Sequence, residues 1–430
     1  MIDAAPQSTP TTNRTHLRRW RIINVFAFAG LAFLVVYFLT SFHFHALLTD
    51  ENKQVDFQIW YGLPRYMFDH LRYPASETGK WVIAIFPYPP SAAAMFLPLQ
   101  LAPQLISFGF WLALQVVAFA TVLWVAARLS GACDFPGWPV IALIAALFAE
   151  NALSWDLRNH NNNLIYLALV MLGLFTRRIW ASALLMALSF NFKVYSGGLI
   201  FSLAWRREYR LAIGMAFAAI MIAVFLPMAV FGNAALPQLF SDWIEQVRYI
   251  ADPANQVAYP VSLLRAATKF LAADPTSDKA ILLLRATQIA WLGLVAAYFL
   301  LARRVEADRP AAYDQVRLAD ACVALMAPLP LSVWFLPYHG VVMIPAFMLL
   351  LTVVVQNGWT KYHRITAIAV CLGCQGVRFV VPDWNYRGAV FLAEFVLLVM
   401  ALAVMRWHLT RPSDSAAGNL EREKSLEPTS

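Results

Sequence analysis

One lysine interrupts an otherwise apolar part of this sequence, and it is the first residue that could carry chemistry. Lys193 stands in the run Asn191–Tyr195, with long hydrophobic segments on both sides. A buried ammonium group is costly unless it meets an anion, and a lipid phosphate would suit it. The alternative is a side chain that extends to the membrane surface. We expect a phosphate contact at Lys193.

A carboxylate heads a second candidate segment, in the polar stretch after the first apolar run. Asp56 is followed closely by Trp60 and Tyr61. On a helix at the membrane surface, this carboxylate could accept a proton from an alcohol. The alternative is a solvated acid in a loop.

An unusually polar run extends from Arg158 to Asn163, just before an apolar segment. Asparagine amides offer both donors and acceptors, which suits sugar hydroxyls. The simpler reading is a loop whose asparagine caps a helix. We take Arg158, His160, Asn161 and Asn163 as candidate ligands of a sugar or an acceptor.

Tyr338 and His339 lie between two apolar runs, after a helix-breaking proline. His339 could donate to a phosphate or sugar oxygen, although a lone buried histidine is more often structural. Tyr88 precedes two prolines that open an apolar segment. Proline is tolerated in the first turn of a helix, so this motif could simply start one. It would also fix how the preceding loop enters the membrane.

Helices in a membrane must position these residues. The chain is 60% hydrophobic and 13% charged, whereas a soluble domain has roughly 25% charged residues. The stretch 211–231 carries no charge, and about 20 apolar residues span a bilayer. We therefore predict an all-α polytopic membrane bundle of about 11–13 transmembrane helices.

The apolar segments can be placed by inspection. They lie near 22–41, 87–103, 105–128, 138–155, 161–176, 179–191, 194–205, 211–231, 257–272, 281–302, 319–336, 339–356, 362–380 and 388–408. Arginines at 177–178 and at 206–207 both favour the cytoplasm, but one crossing cannot join two cytoplasmic ends. Some segments are therefore half-helices or re-entrant, or 179–205 is one long tilted span.

The remaining segments are tails and loops around one transmembrane domain, 16–410. Residues 1–15 and 411–430 are polar, and we expect disordered tails. With a cytoplasmic N-terminus, a first outer loop covers 43–85 and a second covers 233–258. In the first loop, apolar residues recur every four positions and predict an amphipathic helix on the membrane surface. These residues are Val55, Ile59, Leu63 and Met67.

In this order, the motifs resemble those of glycosyltransferase family 87, membrane mannosyltransferases of the GT-C superfamily that use polyprenyl-phosphate sugars. The family pattern begins with an early Asp, which is matched by Asp56. It continues with Tyr-Pro-Pro, matched by residues 88–90, and Pro-Leu, matched by residues 98–99. Gly-Gln-x-Asn-Leu is matched by 160–164, where Asn163 is kept and the Gly-Gln is lost. Leu-Lys-x-Tyr-Pro is matched by 192–196, without its final proline.

Two later motifs complete the resemblance, which covers roughly residues 50–350. Asn-Gln-Ser followed by Arg is similar to Asn255, Gln256 and the later Arg265. Ser-Trp-x-His-Tyr is loosely matched by Ser332, Trp334, Tyr338 and His339, at altered spacing.

The resemblance implies an inverting glycosyltransferase of the GT-C type that moves a sugar, mannose by family likeness, from a polyprenyl phosphate to a hydroxyl. It implies Asp56 as general base, with Lys193, Arg265 and His339 at the donor phosphate. The residues implied for sugar or acceptor binding are Tyr88, Arg158, His160, Asn161, Asn163, Tyr195, Asn255, Gln256, Trp334 and Tyr338.

We expect a multi-pass protein of the inner (plasma) membrane with an extracytoplasmic site, in contact with membrane lipids. Its partners would be the lipid-linked donor and a lipid or polysaccharide acceptor. We expect no nucleic acid, because the basic residues behind the net charge of +8 are clustered at span ends. We also expect no cofactor and no metal, since the sequence offers no credible metal-binding cluster and fixed cations could neutralise the leaving group. Two alternatives stay open: a transporter or flippase of a lipid-linked or anionic solute, and a scaffold without activity.

Overall fold

A computed structural model gives the fold. It describes residues 10–40, 56–73, 88–251, 263–271, 274, 277–301, 310–331, 337–356, 359–380 and 387–410. The two tails from 1 to 9 and from 411 to 430, and most of the predicted first outer loop, lie outside these ranges.

The described residues form seventeen α-helices. In chain order they are α1 Pro10–Thr40, α2 Asp56–His70, α3 Pro90–Phe96, α4 Gln104–Ser130, α5 Trp138–Phe148, α6 Glu150–Arg158, α7 Asn163–Phe175, α8 Ile179–Phe192, α9 Gly198–Trp205, α10 Tyr209–Phe231, α11 Leu236–Ala251, α12 Leu263–Leu271, α13 Asp278–Leu301, α14 Pro310–Met326, α15 Met343–Val355, α16 Lys361–Val380 and α17 Arg387–Thr410.

The prediction of an all-α polytopic membrane bundle is confirmed. Five helices of the described part are long and apolar enough to cross a membrane, or six if α5 and α6 form one bent span. The five are Arg19–Thr40, Gln104–Ser130, Tyr209–Phe231, Asp278–Leu300 and Gly388–Thr410. This number is lower than 11–13, because several apolar segments form helices too short to cross alone.

A sharp bend divides the segment predicted as one span over 138–155. Helices α5 and α6 meet at Ala149 at an angle of 76°. After the bend, α6 ends at Arg158 and a short turn leads into α7. Helix α7 has only 13 residues, or about 20 Å at the rise of a helix, against a hydrocarbon core of about 30 Å. Helix α7 is therefore too short to cross the hydrocarbon core alone.

The segment between the two arginine pairs is a re-entrant hairpin. Helix α8 has 14 residues and ends at Lys193, its C-cap. A 3-10 turn at Val194–Gly197 reverses the chain, and α9 leads back to Arg206 and Glu208. Arg317 links Glu208 to the end of α7, because it donates to both Glu208 and the Leu174 carbonyl. The half-helix alternative therefore holds, and a long tilted span over 179–205 is wrong.

Several helix ends meet at one end of the bundle, which we call the basic end. Trp124 near the end of α4 contacts Phe175 at the end of α7, with ring centroids 5.1 Å apart. Arg177 pairs with Asp314 of α14 at 2.7 Å. Many of the arginines lie in this region: Arg128, Arg177, Arg178, Arg206, Arg207, Arg210 and Arg317. The turn that carries Lys193, which we call the Lys193 tip, lies at the other end of the short helices α8 and α9 from this basic end.

Helix α1 connects the two ends. It begins at Pro10, so residues 10–15 are helical and not part of a disordered tail. The ring of Trp20 lies 5.0 Å from that of Phe135, in the turn after α4. At its other end, Phe38 lies under the Arg158 guanidinium at 5.6 Å. The chain therefore enters the first predicted outer loop on the side of the polar run.

The predicted amphipathic helix is present as α2, but protein covers its apolar face. Phe57, Trp60, Leu63 and Met67 are buried, and α2 packs on α3 and on the segment that leads into α4. Aromatic contacts to neighbouring helices explain why this face does not lie on the membrane surface. The Tyr73 amide donates to Asp242 of α11 at 3.0 Å, so the two predicted outer loops meet.

Candidate active site

The polar run closes helix α6 in a strained turn. The Asn161 amide donates to the Asp156 carbonyl and the His160 amide to the Leu157 carbonyl, a Schellman pattern. His160 occupies the left-handed position with φ 53°, where glycine is usual. Its ring meets that of Phe108 edge-on, with centroids 4.9 Å apart. The turn therefore places the polar side chains of residues 160–163 inside the bundle, where they are buried.

Two side chains of this run hold Lys193. Its ammonium Nζ donates to Asn163 Oδ1 at 2.6 Å and to Asn161 Oδ1 at 3.1 Å. The Lys193 residue is only 2% exposed, so it does not extend to the surface. The structure therefore favours a buried cation fixed by amide oxygens.

An acid that the sequence analysis did not select completes this group. Asp156 is fully buried and accepts from Asn163 Nδ2 at 2.6 Å and from the Leu164 amide at 3.2 Å. The second contact satisfies an amide at the start of α7 and places a negative charge at that helix N-terminus. Asp156 thus orients Asn163, and Asn163 orients Lys193. In the sequence, the only sign of a role for Asp156 was its position just before the polar run 158–163.

Aromatic side chains line the surroundings of the lysine. Nζ lies 5.5 Å from the ring centre of Tyr88 and 6.0 Å from that of Tyr166, within cation–π range. Tyr195 contacts His339 edge to face at 5.1 Å. His339 is buried and comes from the 3-10 turn at Pro337–Val342, which packs on α6 and α7. Four separate parts of the chain therefore converge on Lys193.

Tyr166 carries a polar group that the described structure leaves unused. The residue is completely buried, and its hydroxyl has no hydrogen-bond partner among the described residues. A buried hydroxyl without a partner is unfavourable, so such a group is a candidate ligand contact. Nothing in the sequence marked Tyr166, since it lies within an apolar stretch.

The start of α2 reaches this site through aromatic contacts. Asp56 is the first residue of α2, and its side chain lies outside the described part of the structure. One turn later, the ring of Trp60 lies 4.5 Å from that of Tyr88, which in turn faces Lys193. Phe57 contacts Phe108 at 5.0 Å. The backbone that carries Asp56 is therefore on the same side of the bundle as Lys193.

Other predicted site residues are placed less fully. Arg158 lies over Phe38 at the outer end of α1. Arg265 belongs to α12, which packs on α13 and α17, and its side chain is outside the described residues. Asn255, Gln256, Trp334 and the Tyr338 side chain also lie outside them. For these residues the ligand roles stay predictions.

An apolar groove of about 440 Å³ runs beside the site. Its wall includes Phe96, Leu99, Ile106 and Phe192, and the rings of Phe96 and Phe192 lie 5.2 Å apart. Phe192, which directly precedes Lys193 in the chain, lines this groove. Ile106 is exposed on the outer surface of the bundle. A lipid chain could enter here from the bilayer.

The comparisons with known proteins agree with this arrangement. Residues 86–330 match the family model of glycosyltransferase family 87. This segment contains the polar run, Lys193 and the re-entrant hairpin, and it covers more than half of the chain. No curated protein and no solved structure matches the chain. The chain belongs to glycosyltransferase family 87 and is thereby a glycosyltransferase.

Proposed function

We propose that this glycosyltransferase transfers a sugar, mannose in our hypothesis, from a polyprenyl-phosphate donor to an acceptor hydroxyl. The observation that carries the proposal is the buried Lys193 ammonium within a bundle of apolar helices, together with an apolar groove lined by the neighbouring Phe192. A soluble nucleotide-sugar donor would need neither feature. A lipid phosphate needs both, because its chain stays in the bilayer while its charge is neutralised.

The reaction would occur on the extracytoplasmic side. Arginines mark cytoplasmic loops in membrane proteins, and the arginine-rich end lies opposite the Lys193 tip. The same orientation puts the start of α1 in the cytoplasm and both predicted outer loops beside the site. Their direct contact, Tyr73 to Asp242, supports a common face. We place the protein in the inner (plasma) membrane.

The proposed chemistry is a single displacement at the anomeric carbon, which inverts its configuration. The acceptor oxygen bonds to that carbon as the bond to the phosphate oxygen breaks. Asp56 would take the hydroxyl proton, and the departing phosphate keeps the electron pair. A carboxylate near its usual pKa of about 4 is a weak base. It suffices if the alcohol becomes acidic only as its bond to an oxocarbenium-like carbon forms.

Fixed cations would stabilise the leaving group. Charge on the phosphate grows as the bond to the sugar breaks, so preorganised positive charge helps most in the transition state. Lys193 is preorganised by Asn161 and Asn163. We assign Arg265 and His339 to the same phosphate. The polar run and the nearby tyrosines would bind the sugar or the acceptor.

Donor turnover by the purified full chain in lipid nanodiscs tests the proposal. Labelled polyprenyl-phosphate-mannose is supplied with lipid extract from the source membranes as acceptor, and donor loss and product are measured. Asp56→Asn should lower turnover roughly a hundredfold or more. The matched control is Asp69→Asn on the same helix, an exposed acid that pairs with Arg65, which should keep full turnover.

Three outcomes would contradict parts of the proposal. Normal turnover by Asp56→Asn would rule out the base assignment. Consumption of a nucleotide sugar in place of the lipid donor would rule out the donor class. Movement of intact lipid-linked sugar between leaflets, without transfer, would favour the flippase alternative. Parallel donors that carry glucose or galactose test the choice of mannose separately.

A further inference from the structure

A second cavity lies at the basic end, away from the proposed active site. It has a volume of about 600 Å³ and is bounded by the turn after α7, the turn between α9 and α10, and α14. Four arginines line it: Arg177, Arg207, Arg210 and Arg317. Glu208 is its one acidic lining residue among the described residues. The cavity is therefore strongly cationic.

The nearby acids are already engaged by arginines. Glu208 accepts from Arg206 at 2.8 Å and from Arg317 at 3.1 Å. Burial raises the pKa of Glu208, but the two arginines outweigh this effect and hold it below the ordinary value. Arg177 pairs with Asp314. Within the described ranges, Arg207 and Arg210 have no acidic partner, so two positive charges remain for a ligand.

Arg207 occupies a backbone position that normally favours glycine. Its φ is 61°, in the turn that ends α9. The Glu208 amide donates to the Leu203 carbonyl and the Arg207 amide to the Ala204 carbonyl, again a Schellman pattern. A left-handed conformation is unfavourable for a residue with a Cβ atom. The chain therefore carries a cationic side chain at this cavity, although the backbone conformation there favours glycine.

The first turn of α10 adds backbone donors to the same cavity. Tyr209, Arg210 and Leu211 begin this 23-residue helix and line the cavity. The Leu211 amide donates to the Glu208 carbonyl at 3.0 Å, so the backbone donors at this helix start are the amides of Tyr209 and Arg210, where the helix dipole favours an anion. Together with the arginines, they form a suitable environment for a phosphate group.

The flank of the cavity points to a lipid as the source of that phosphate. Tyr209 is 55% exposed and Trp180, at the start of α8, is 68% exposed. Exposed tyrosine and tryptophan at span ends lie at headgroup level. Further along α10, Ile213 and Phe217 are 68% and 64% exposed, as expected for a lipid-facing surface. A phospholipid could therefore place its headgroup in the cavity and its chains along α10.

We propose that this cavity binds the phosphate headgroup of an anionic phospholipid through Arg207, Arg210 and the start of α10. Under the proposed orientation, this lipid belongs to the cytoplasmic leaflet. Its site is separate from the donor site, which lies beyond the length of the short helices α7 and α8. The competing explanation is a solvated basic surface that only fixes the orientation of the protein.

Lipid retention by the purified full-length chain tests the proposal. The protein in detergent is mixed with equal amounts of phosphatidylglycerol and phosphatidylcholine, and bound lipid is counted by native mass spectrometry. We expect one phosphatidylglycerol to be retained preferentially. The double variant Arg207→Gly, Arg210→Gln should lose this preference by about tenfold or more, since charged hydrogen bonds are lost.

The variants were chosen so that misfolding cannot imitate the result. Glycine suits the φ of Arg207, so this substitution should preserve or raise thermal stability. The control Arg178→Gln removes an exposed arginine that does not line the cavity and should bind like the wild type. Equal retention of the two lipids by the wild type would refute the proposal, as would an unchanged preference in the folded double variant. Displacement by glycerol 3-phosphate at lipid-like concentrations would refute the lipid assignment.

Discussion

A single amide, that of Asn163, joins Lys193 to Asp156. Its oxygen accepts from the ammonium at 2.6 Å, and its nitrogen donates to the carboxylate at 2.6 Å. The acid is thus held away from the cation by one side chain. Asn161 Oδ1 also accepts from both Lys193 and Asn163, which closes the network. Within the described residues, this network holds the ammonium through two amide oxygens.

Removing the ammonium should abolish transfer. We expect Lys193→Ala to lower turnover by roughly a hundredfold or more, because the leaving phosphate loses a preorganised cation. Ethylammonium added to the assay should restore part of the activity, since it can occupy the space of the missing side chain. Lys361→Ala removes an exposed lysine and serves as the control.

The rescue separates chemistry from structure. A lysine that only supports the fold would lose activity together with thermal stability, and ethylammonium would restore both. Full activity in a folded Lys193→Ala variant would contradict the phosphate role outright.

Much of this site could be predicted from isolated polar residues in apolar surroundings. Lys193, Asn161, Asn163 and His339 all stood out in this way, because membrane-depth polar groups are rare. The structure brings all four together. Asp156 was missed because its role depends on the turn after α6, which folds residue 156 back onto residue 163. No helical spacing connects two residues across such a turn.

Among the described residues, fewer helices than the predicted 11–13 are long and apolar enough to cross a membrane, and the reason is physical. Hydropathy measures how apolar a segment is, but not whether its helix is long enough to cross. Helices α7, α8 and α9 are apolar because other helices or lipid surround them, yet each ends at or starts from the buried site. The conflict between the arginine pairs at 177–178 and 206–207 was the useful signal, since it required a reversal near Lys193.

Tyr166 offers a test that distinguishes a ligand contact from a fold contact. We expect Tyr166→Phe to leave thermal stability unchanged, because its buried hydroxyl has no partner within the described structure. Turnover should fall several-fold if the hydroxyl binds donor or acceptor. Tyr298→Phe is the matched control, since that hydroxyl donates to Asp320 at 2.9 Å far from the site. It should lose about 1.5–3 kcal/mol of stability, the range for a hydrogen bond to a charged group, and keep its turnover.

The opposite pattern would place Tyr166 in the fold. Equal losses of stability in the two variants would mean that the Tyr166 hydroxyl has a structural partner. Unchanged turnover in Tyr166→Phe would remove it from the site.

Gly198 tests how the re-entrant hairpin is seated. A Cβ at this position would approach the Ala324 carbonyl oxygen of α14 far inside van der Waals contact, at 2.2 Å. We expect Gly198→Ala to lower the melting temperature and to reduce turnover, because α9 must move and Lys193 moves with it. Gly293→Ala is the control, since a Cβ there meets nothing within 4 Å. It should be neutral or slightly stabilising. A harmless Gly198→Ala would mean that α9 does not pack closely on α14.

The apolar groove predicts a dependence on the chain length of the donor. Ile106 lines the groove and Leu105 does not, although the two neighbours are 63% and 64% exposed. Each buried methylene contributes about 0.8 kcal/mol, so a long polyprenyl chain gains from the groove and a monoterpenyl chain gains little.

We expect Ile106→Asn to raise KM for the long-chain donor about fivefold or more, the effect of roughly 1 kcal/mol of lost contact. The same variant should leave KM for the monoterpenyl donor unchanged, and Leu105→Asn should leave both unchanged. Equal shifts for the two donors would show that the lipid chain lies elsewhere, whereas equal effects of the two variants would indicate a general disturbance of α4.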